Sequence, residues 1–359
     1  MKKEQKKLVA IDLFCGVGGI THGFVREKIQ VVAGIDNDPT CKYSYEHNNK
    51  SAFICDDIAN ISSATIKSLY KKAKADIKIL IGCAPCQPYS SLNSKRVQYK
   101  KKHSDWEPLE HFIRIIQEVK PEIVSMENVK ELSDVNKYPI FKRFLECLTT
   151  NGYSFAYQVV DTSMYGVPQK RKRLVLLASR MGEISLVSPT HADPTKMKTV
   201  RDVIGDLHPI ADGEVFGKDP LHQSSKLSVL NKSRIKATPK NGGSAKDWPE
   251  HLVLDCHKVA SGKTYMATVY GRMRWDEPSP TITTNCLTLG TGRFGHPTQN
   301  RAISLREAAL LQSFPKSYDF IGTAKVSKTI LSRHIGNAVP VRLAQVIAQS
   351  IKLHVEAHV

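Results

Sequence analysis

Five short apolar runs, each stopping at residues that can do chemistry, constrain this chain more than anything else in it. Residues 8–13, 31–35, 52–54, 78–81 and 121–126 have the length and β-branched content of buried strands, with glycine, proline or acid at their ends. The first runs into Phe14-Cys15-Gly16-Val17-Gly18-Gly19 and the second stops at Asp36. The third stops at Cys55-Asp56-Asp57-Ile58, the fourth at Gly82, and the fifth at Glu127-Asn128-Val129. In open α/β sheets, ligands and reactive groups gather just beyond the carboxyl ends of the strands. The expected fold class is therefore α/β.

The fourth run leads into Cys83-Ala84-Pro85-Cys86-Gln87-Pro88-Tyr89-Ser90. Pro85 and Pro88 restrict the backbone on either side of Cys86 and present its thiol on a rigid turn. A cysteine is more often a small buried hydrophobe than a catalyst. Cys83 and Cys86 also form a lone C-x-x-C, but no second such pair accompanies it, so zinc is not expected. Cys86 is the candidate nucleophile, and Cys83 has no role in this reading. Glu127, at the end of the neighbouring run, is the candidate general acid.

The first three strand ends suggest a ligand. Glycines at 16, 18 and 19 allow a tight turn and close backbone approach at a helix N-terminus. The pattern is not the dinucleotide fingerprint, because Thr21 stands where that pattern requires glycine. Asp36 lies twenty residues after Gly16, a spacing suited to hydrogen-bonding ribose hydroxyls. Gly, Asp and Asp on consecutive strand ends point to an adenosine-type ligand.

Charge points to the partner. With 52 Lys+Arg against 34 Asp+Glu in 359 residues, the net charge is +18, which suits a nucleic acid. The excess is clustered. Between Asp76 and Asp105 there is no acid, yet Lys95, Arg96, Lys100, Lys101 and Lys102 follow the Cys86 turn. Lys170-Arg171-Lys172-Arg173 forms a second cluster, between two further strands expected at 154–160 and 173–178 as an antiparallel pair. Cations near Cys86 would favour its thiolate. A helix is expected over 106–119 and another over 341–353, each with an apolar face. No apolar run is long enough to span a bilayer, and Asp12 interrupts the only candidate for a signal segment. The eight dispersed cysteines suit a reducing cytosol.

After about Met181 periodicity weakens, and Pro, Gly, His and basic residues become frequent. This reads as a smaller, irregular, β-rich domain. Trp248, Tyr265, Tyr270 and Trp275 are interleaved with Lys258, Lys263, Arg272 and Arg274, a mixture suited to phosphates and bases or to a small aromatic core.

Taken in order, these pieces resemble the cytosine-C5 DNA methyltransferases, most closely the bacterial restriction–modification type. The matches are Asp12-Leu13-Phe14-x-Gly16-x-Gly18-Gly19, Pro85-Cys86-Gln87-Pro88-Tyr89-Ser90, Glu127-Asn128-Val129, Gln169-x-Arg171-x-Arg173, Arg306-Glu307 with Gln312-x-Phe314-Pro315, and Gly336-Asn337-Ala338-Val339. Tyr89 stands where phenylalanine is more usual, and Cys83-Ala84 replaces a common Gly-Phe.

The resemblance implies a Rossmann-like S-adenosylmethionine-dependent catalytic domain over 1–183, a target-recognition domain over 184–325, and a C-terminal segment, 326–359, that returns to the catalytic domain. It implies that Cys86 adds covalently to C6 of a flipped-out cytosine, with Glu127 at N3 and Arg171 and Arg173 supporting. The methyl donor would lie on Asp12, Phe14, Gly16, Val17, Gly18 and Gly19. Asp36 and Asn37 would flank its ribose, Asp57 and Ile58 its adenine, and Pro85, Asn337 and Ala338 would complete the cavity. Gln87, Ser90, Ser91, Lys95, Arg96, Gln169, Arg272 and Arg274 would contact double-stranded DNA. The expected product is S-adenosylhomocysteine, with no metal. The expected enzyme is a monomer of the bacterial cytosol, with a cognate restriction endonuclease acting separately. An RNA-directed relative using the same motifs is the rival, and the long segment between 186 and 274 argues for DNA.

The nucleophile assignment makes a direct prediction. Cys86→Ser should lower methyl transfer by about 10^3-fold or more while leaving DNA affinity within a few-fold. Filter-binding and methyl-transfer assays on the same preparation separate the two, and near-normal turnover would remove Cys86 from the chemistry.

Overall fold

The computed structural model describes residues 6–85, 106–258, 268–322 and 326–359. All the expected strands are present, most of them a residue or two longer. β1 (Leu8–Leu13), β2 (Gln30–Asp36), β3 (Ala52–Cys55), β4 (Ile77–Gly82) and β5 (Ile123–Val129) pair in parallel. β5 is buried at every position and β1 at all but its first, as strands covered on both faces must be. β6 (Ser154–Asp161) and β7 (Lys172–Ser179) are antiparallel, and β7 inserts beside β5. The seven-stranded sheet reads β3-β2-β1-β4-β5-β7-β6. Its order reverses between β1 and β4, the switch point at which a crevice opens past the strand ends.

The helices that cover the sheet are α1 (Gly19–Arg26), α2 (Lys42–Asn49), α3 (Ser63–Lys72), α4 (Glu107–Val119) and α5 (Pro139–Thr150). α4 carries Glu107 and Glu110 in its first turn and buries Leu109, Phe112, Ile113, Ile115, Ile116 and Val119. α2 and α3 had no clear signature because each buries so little. α2 buries Ser44, Tyr45 and Asn49, and α3 only Ile66 and Tyr70. The last residue of β4 has to be glycine. A Cβ on Gly82 would sit 2.2 Å from the Phe112 ring, so α4 reaches the sheet only because no side chain is there.

The chain divides into two compact units. The first comprises Met1–Thr162, Lys172–Pro189 and Val341–Val359, and the second Ser163–Arg171 and Thr190–Pro340. The expected boundaries at 183 and 326 thus differ from those observed. Residues 163–171 join the second unit because they pair there: Lys170 N donates to Ser279 O at 2.8 Å and Ser279 N to Pro168 O at 3.0 Å.

The longer helices of the second unit are α6 (Val200–Ile204), α7 (Val229–Ala237), α8 (Leu305–Leu311) and α9 (Lys328–Asn337). α9 packs on α8, which keeps it in this unit. The irregular texture is as expected, but the β-rich description is corrected. Among the described residues the strand pairing here is confined to isolated bridges, such as Gln169–Ser279 and Arg272–Gly295. Buried arginines do the work of ladders. Arg301 donates from both Nη atoms to the two carboxylate oxygens of Glu307 at 2.7 Å. Glu307 also caps α8 with Ser304, accepting Ser304 N at 2.6 Å. Burial would raise the Glu307 carboxyl, but the Arg301 guanidinium overrides it and holds the group down at about 2. Trp248 and Tyr270 pack edge to face, with the Arg234 guanidinium 5.5 Å from each ring, so Trp248 belongs to a small aromatic core.

The final helix, α10 (Val341–His358), belongs to the first unit. It lies on α1, where Gln345 and Gln349 both donate to Glu27 Oε1, at 2.9 and 3.1 Å.

Glu307→Gln would leave the Arg301 charge buried without a counter-ion and should cost about 3–5 kcal/mol. The wild-type pair contributes above pH 4.5 and is lost as pH falls towards 2, because the folded carboxyl titrates below its ordinary 4.5. Urea titrations at pH 7 and pH 3 check both statements: the variant's deficit should be large at pH 7 and smaller at pH 3.

Candidate active site

The first functional cluster is the turn after β1. Phe14 has φ 61°, Gly16 φ 49° and Gly18 φ 85°, and Gly18 is the N-cap of α1. A left-handed conformation at an aromatic residue costs about 1–3 kcal/mol and marks a backbone held for a purpose. A Cβ on Gly16 would meet nothing within 4 Å, so the turn faces open space there. Gly16 N donates to Asp36 Oδ2 at 2.8 Å, which ties the turn to the end of β2. Asp36 Oδ1 accepts Asp38 N at 2.9 Å. On the adjacent strand end, exposed Asp57 accepts Ala59 N at 2.9 Å and lies 3.4 Å from Asn37 Nδ2. Val17 and Ile58 are buried beneath this edge, and Gly19 opens α1. The structure therefore gathers Phe14, Gly16, Asp36, Asn37 and Asp57 at neighbouring strand ends.

Asp12 sits beneath the turn, 1% exposed. Its Oδ2 accepts from Thr21 Oγ1 at 2.6 Å, and a buried chain continues through Tyr45 OH at 3.0 Å to Ser51 Oγ at 3.1 Å. Oδ1 has no hydrogen-bond partner. Burial, with a smaller push from Asp36, raises the Asp12 carboxyl to about 7.

The second cluster sits where β4, β5 and β7 meet. Gly82 pairs with Met126, so Cys83, the next residue, comes level with Glu127. Val129 pairs with Arg173 on β7, which makes Arg173 the diagonal same-face neighbour of Glu127. Cys83 Sγ accordingly donates to Glu127 Oε2 at 2.8 Å, and Arg173 Nε lies 3.1 Å from Oε1. That Arg173 N–H is not aimed at the oxygen, so Oε1 has a cation beside it but no hydrogen bond. Glu127 is 4% exposed. Asn128 Nδ2 donates to Ala84 O at 3.0 Å and fixes the segment that leads to Pro85, which is exposed. Cys83 was not anticipated as a site residue, since cross-strand register is not written in the sequence.

A third set of motif residues assembles inside the second unit. Gln169 is fully buried, donates to Leu311 O and Gln312 Oε1 at 3.2 and 2.9 Å, and accepts Ile282 N at 3.0 Å. Arg171 Nη1 donates to Ile282 O at 2.9 Å and Gly336 O at 3.3 Å. Gln312 Nε2 donates to Ile335 O at 2.7 Å and Ala338 O at 3.1 Å. The motifs around 169–171, 312 and 336–338 are thus one polar lock, which holds the end of α9 and leaves Asn337 exposed.

Two expected DNA contacts are corrected by these positions. Gln169 is consumed by the lock. Arg272 is 1% exposed, and its five donors meet five acceptors: Thr238 O, His296 O, Gln299 O, Ile235 O and Asn300 Oδ1. Burial lowers the Arg272 guanidinium to about 10. Arg171 donates from Nη1 and Nη2 to the backbone carbonyls of Ile282 and Gly336. Arg274 is exposed and lies 3.5 Å from Glu277. Cys86, Gln87, Ser90, Ser91, Lys95 and Arg96 lie outside the described residues.

A model of the C-5 cytosine-specific DNA methylases matches residues 8–353. The chain belongs to that family. It is similar to the type II methylase M.HgiDII of Herpetosiphon aurantiacus, 48% identical over 349 residues that cover 96% of this chain and 95% of that protein. It also resembles the type II methyltransferase M.XorII of Xanthomonas oryzae pv. oryzae, at 30% over 371 residues, 96% of this chain and 84% of that one. In fold it is similar to a protein encoded within an E. coli prophage, with TM-score 0.68 and 23% identity over 97% of this chain and 99% of that one. The Dnmt2 methyltransferase of S. pombe gives TM-score 0.60 at 17% identity, over 98% and 99% of the two chains.

As a DNA (cytosine-5-)-methyltransferase it uses S-adenosylmethionine as methyl donor. The residues present fit that group. Asp36 and Asp57 offer acceptors at neighbouring strand ends, Gly16 leaves open space in front of the turn, and Asp12 Oδ1 is a buried polar atom that a ligand's donor could satisfy. Among the described residues, no helix is long and apolar enough to cross a membrane.

The raised Asp12 carboxyl has a consequence for stability. The native state keeps its proton up to about pH 7, whereas the unfolded chain loses it near the ordinary 3.8. Native protein therefore binds the extra proton in that window, and stability falls as pH rises through it, by up to about 1.4 kcal/mol per pH unit. The stability difference between wild type and Asp12→Asn, measured by urea denaturation from pH 4.5 to 8, should follow this slope and flatten above 7.

Proposed function

We propose that this methyltransferase is the modification enzyme of a type II restriction–modification system. It works as a monomer on duplex DNA in a bacterial cytosol, beside a separate endonuclease. It methylates C5 of one cytosine in a specific site through a covalent bond from Cys86 to C6. The observation that supports this most is Glu127: a buried carboxylate at the end of β5, level with the segment that leads into Pro85-Cys86, with one oxygen lacking a hydrogen bond. The type II relatives support the restriction–modification assignment.

In this reading each residue has a defined task. C5 of cytosine is a poor nucleophile, and addition of the Cys86 thiolate across C6 makes it enamine-like. Glu127 places a proton on N3 as the S–C6 bond forms, so no full negative charge builds on the ring. Arg173 steadies the O2 side. S-adenosylmethionine, when bound, supplies an electrophilic methyl group on a sulfonium. Loss of the C5 proton to a base then lets the C6–S bond break, which restores the thiolate, and the N3 proton returns to Glu127. Phe14 packs on adenine, Asp36 takes the ribose hydroxyls, and Asp57 takes the adenine amine. Arg171 is a positioning residue for the Gly336 segment. Gln87, Ser90, Ser91, Lys95, Arg96 and Arg274 contact DNA. The cytosine leaves the stack, because C6 is unreachable within a duplex. No step calls on a metal.

Expression in a host without cytosine methylation, followed by bisulfite sequencing, should reveal 5-methylcytosine at one short sequence. A duplex carrying 5-fluorocytosine at that position should then form a denaturation-resistant adduct with the protein. Modification of tRNA but not of duplex DNA would overturn the substrate assignment, and methylation without an adduct would overturn the covalent route.

A further inference from the structure

The family chemistry accounts for Glu127 but not for the thiol that touches it. Cys83 immediately follows β4, and its Sγ donates to Glu127 Oε2 at 2.8 Å. The contact is imposed by register, since Gly82 lies opposite Met126 and the next residues along each strand therefore face one another. Among the described residues, the charged and titratable groups placed on the Glu127 carboxylate are Cys83, from the end of β4, and Arg173, from β7. Their contributions differ. Arg173 brings charge to Oε1 without an aligned hydrogen bond, and among the described residues Cys83 supplies the one directed donor to the carboxylate. The other oxygen is left as the buried polar atom to which a base can bond.

We infer that Cys83 is a positioning residue for the methyl-transfer reaction: its thiol holds Glu127 Oε2 so that Oε1 faces the cytosine, and its weakness as a donor leaves the carboxylate able to take up and return the N3 proton. A thiol is a weak donor, so it orients a carboxylate without stabilising the ionised form as strongly as a hydroxyl in the same place would. Serine at this position would donate more strongly than the thiol and favour the ionised carboxylate more. Alanine would favour it less and would also release the orientation. The two substitutions therefore push the pH dependence of the reaction in opposite directions, which a purely steric role for Cys83 would not do. The inference rests on the role proposed for Glu127.

The test uses the full chain under single-turnover conditions, with a duplex carrying the methylated site found by bisulfite sequencing. Methyl-transfer rates are measured from pH 5.5 to 9 for wild type, Cys83→Ser, Cys83→Ala and Glu127→Gln. The alkaline midpoint should move down by about half to one pH unit in Cys83→Ser and up by about one unit in Cys83→Ala. At pH 8 the serine variant should be about three- to tenfold slower than wild type. KM for S-adenosylmethionine should stay within about twofold in both. Midpoints equal to wild type in the near-isosteric serine variant, or shifts of the same sign in both, would overturn the inference. If wild type methylates DNA but Glu127→Gln loses neither rate nor pH dependence, the role of Glu127 fails instead, and the inference with it.

Discussion

The position of Gly82 between Leu13 on β1 and Met126 on β5 is the constraint on which the rest of the site depends. Side chains on a strand alternate between faces, so a slip of one residue would turn every group at the carboxyl edge the wrong way. The register is held from the side by α4, whose Phe112 ring occupies the space a side chain at 82 would need. With β4 so placed, Cys83 lies beside Glu127, and the next strand brings Arg173 diagonally onto the same face. The acid is thus oriented by three strands that are distant in sequence. It is nearly sealed from water, where a single directed donor matters more than it would at the surface.

The second unit solves a different problem. Its chain is too rich in proline and glycine for long ladders, yet its buried backbone carbonyls still need donors. Guanidinium and amide side chains supply them. Arg272 satisfies acceptors from 235 to 300, and Gln169, Arg171 and Gln312 tie Ile282 to the end of α9. Part of the positive charge that suggests a nucleic-acid surface is therefore spent inside the molecule. The cations left at the surface, such as Arg274, are the ones that can meet phosphate.

Much of the catalytic unit was legible in the sequence. The strands were found nearly to the residue because buried parallel strands read as unbroken apolar runs with abrupt ends. The helices α2 and α3 were missed because each buries only two or three side chains, too few to impose a period. The roles of Gln169 and Arg272 were misread for a related reason. A polar side chain looks the same in a sequence whether it faces solvent or five buried acceptors.

The sequence by itself determined the α/β class, the order of the motifs, the family, and the residues at the strand ends. These are local properties: an apolar run, a glycine turn or a terminal acid carries its meaning within a few neighbours. Only the tertiary structure decided that β7 lies between β5 and β6, that Cys83 is a partner of Glu127, that Asp12 is buried deeply enough to keep its proton, and that three separate motifs close into one lock. Each of these depends on register, burial or long-range packing, and those are set by how distant segments share one core.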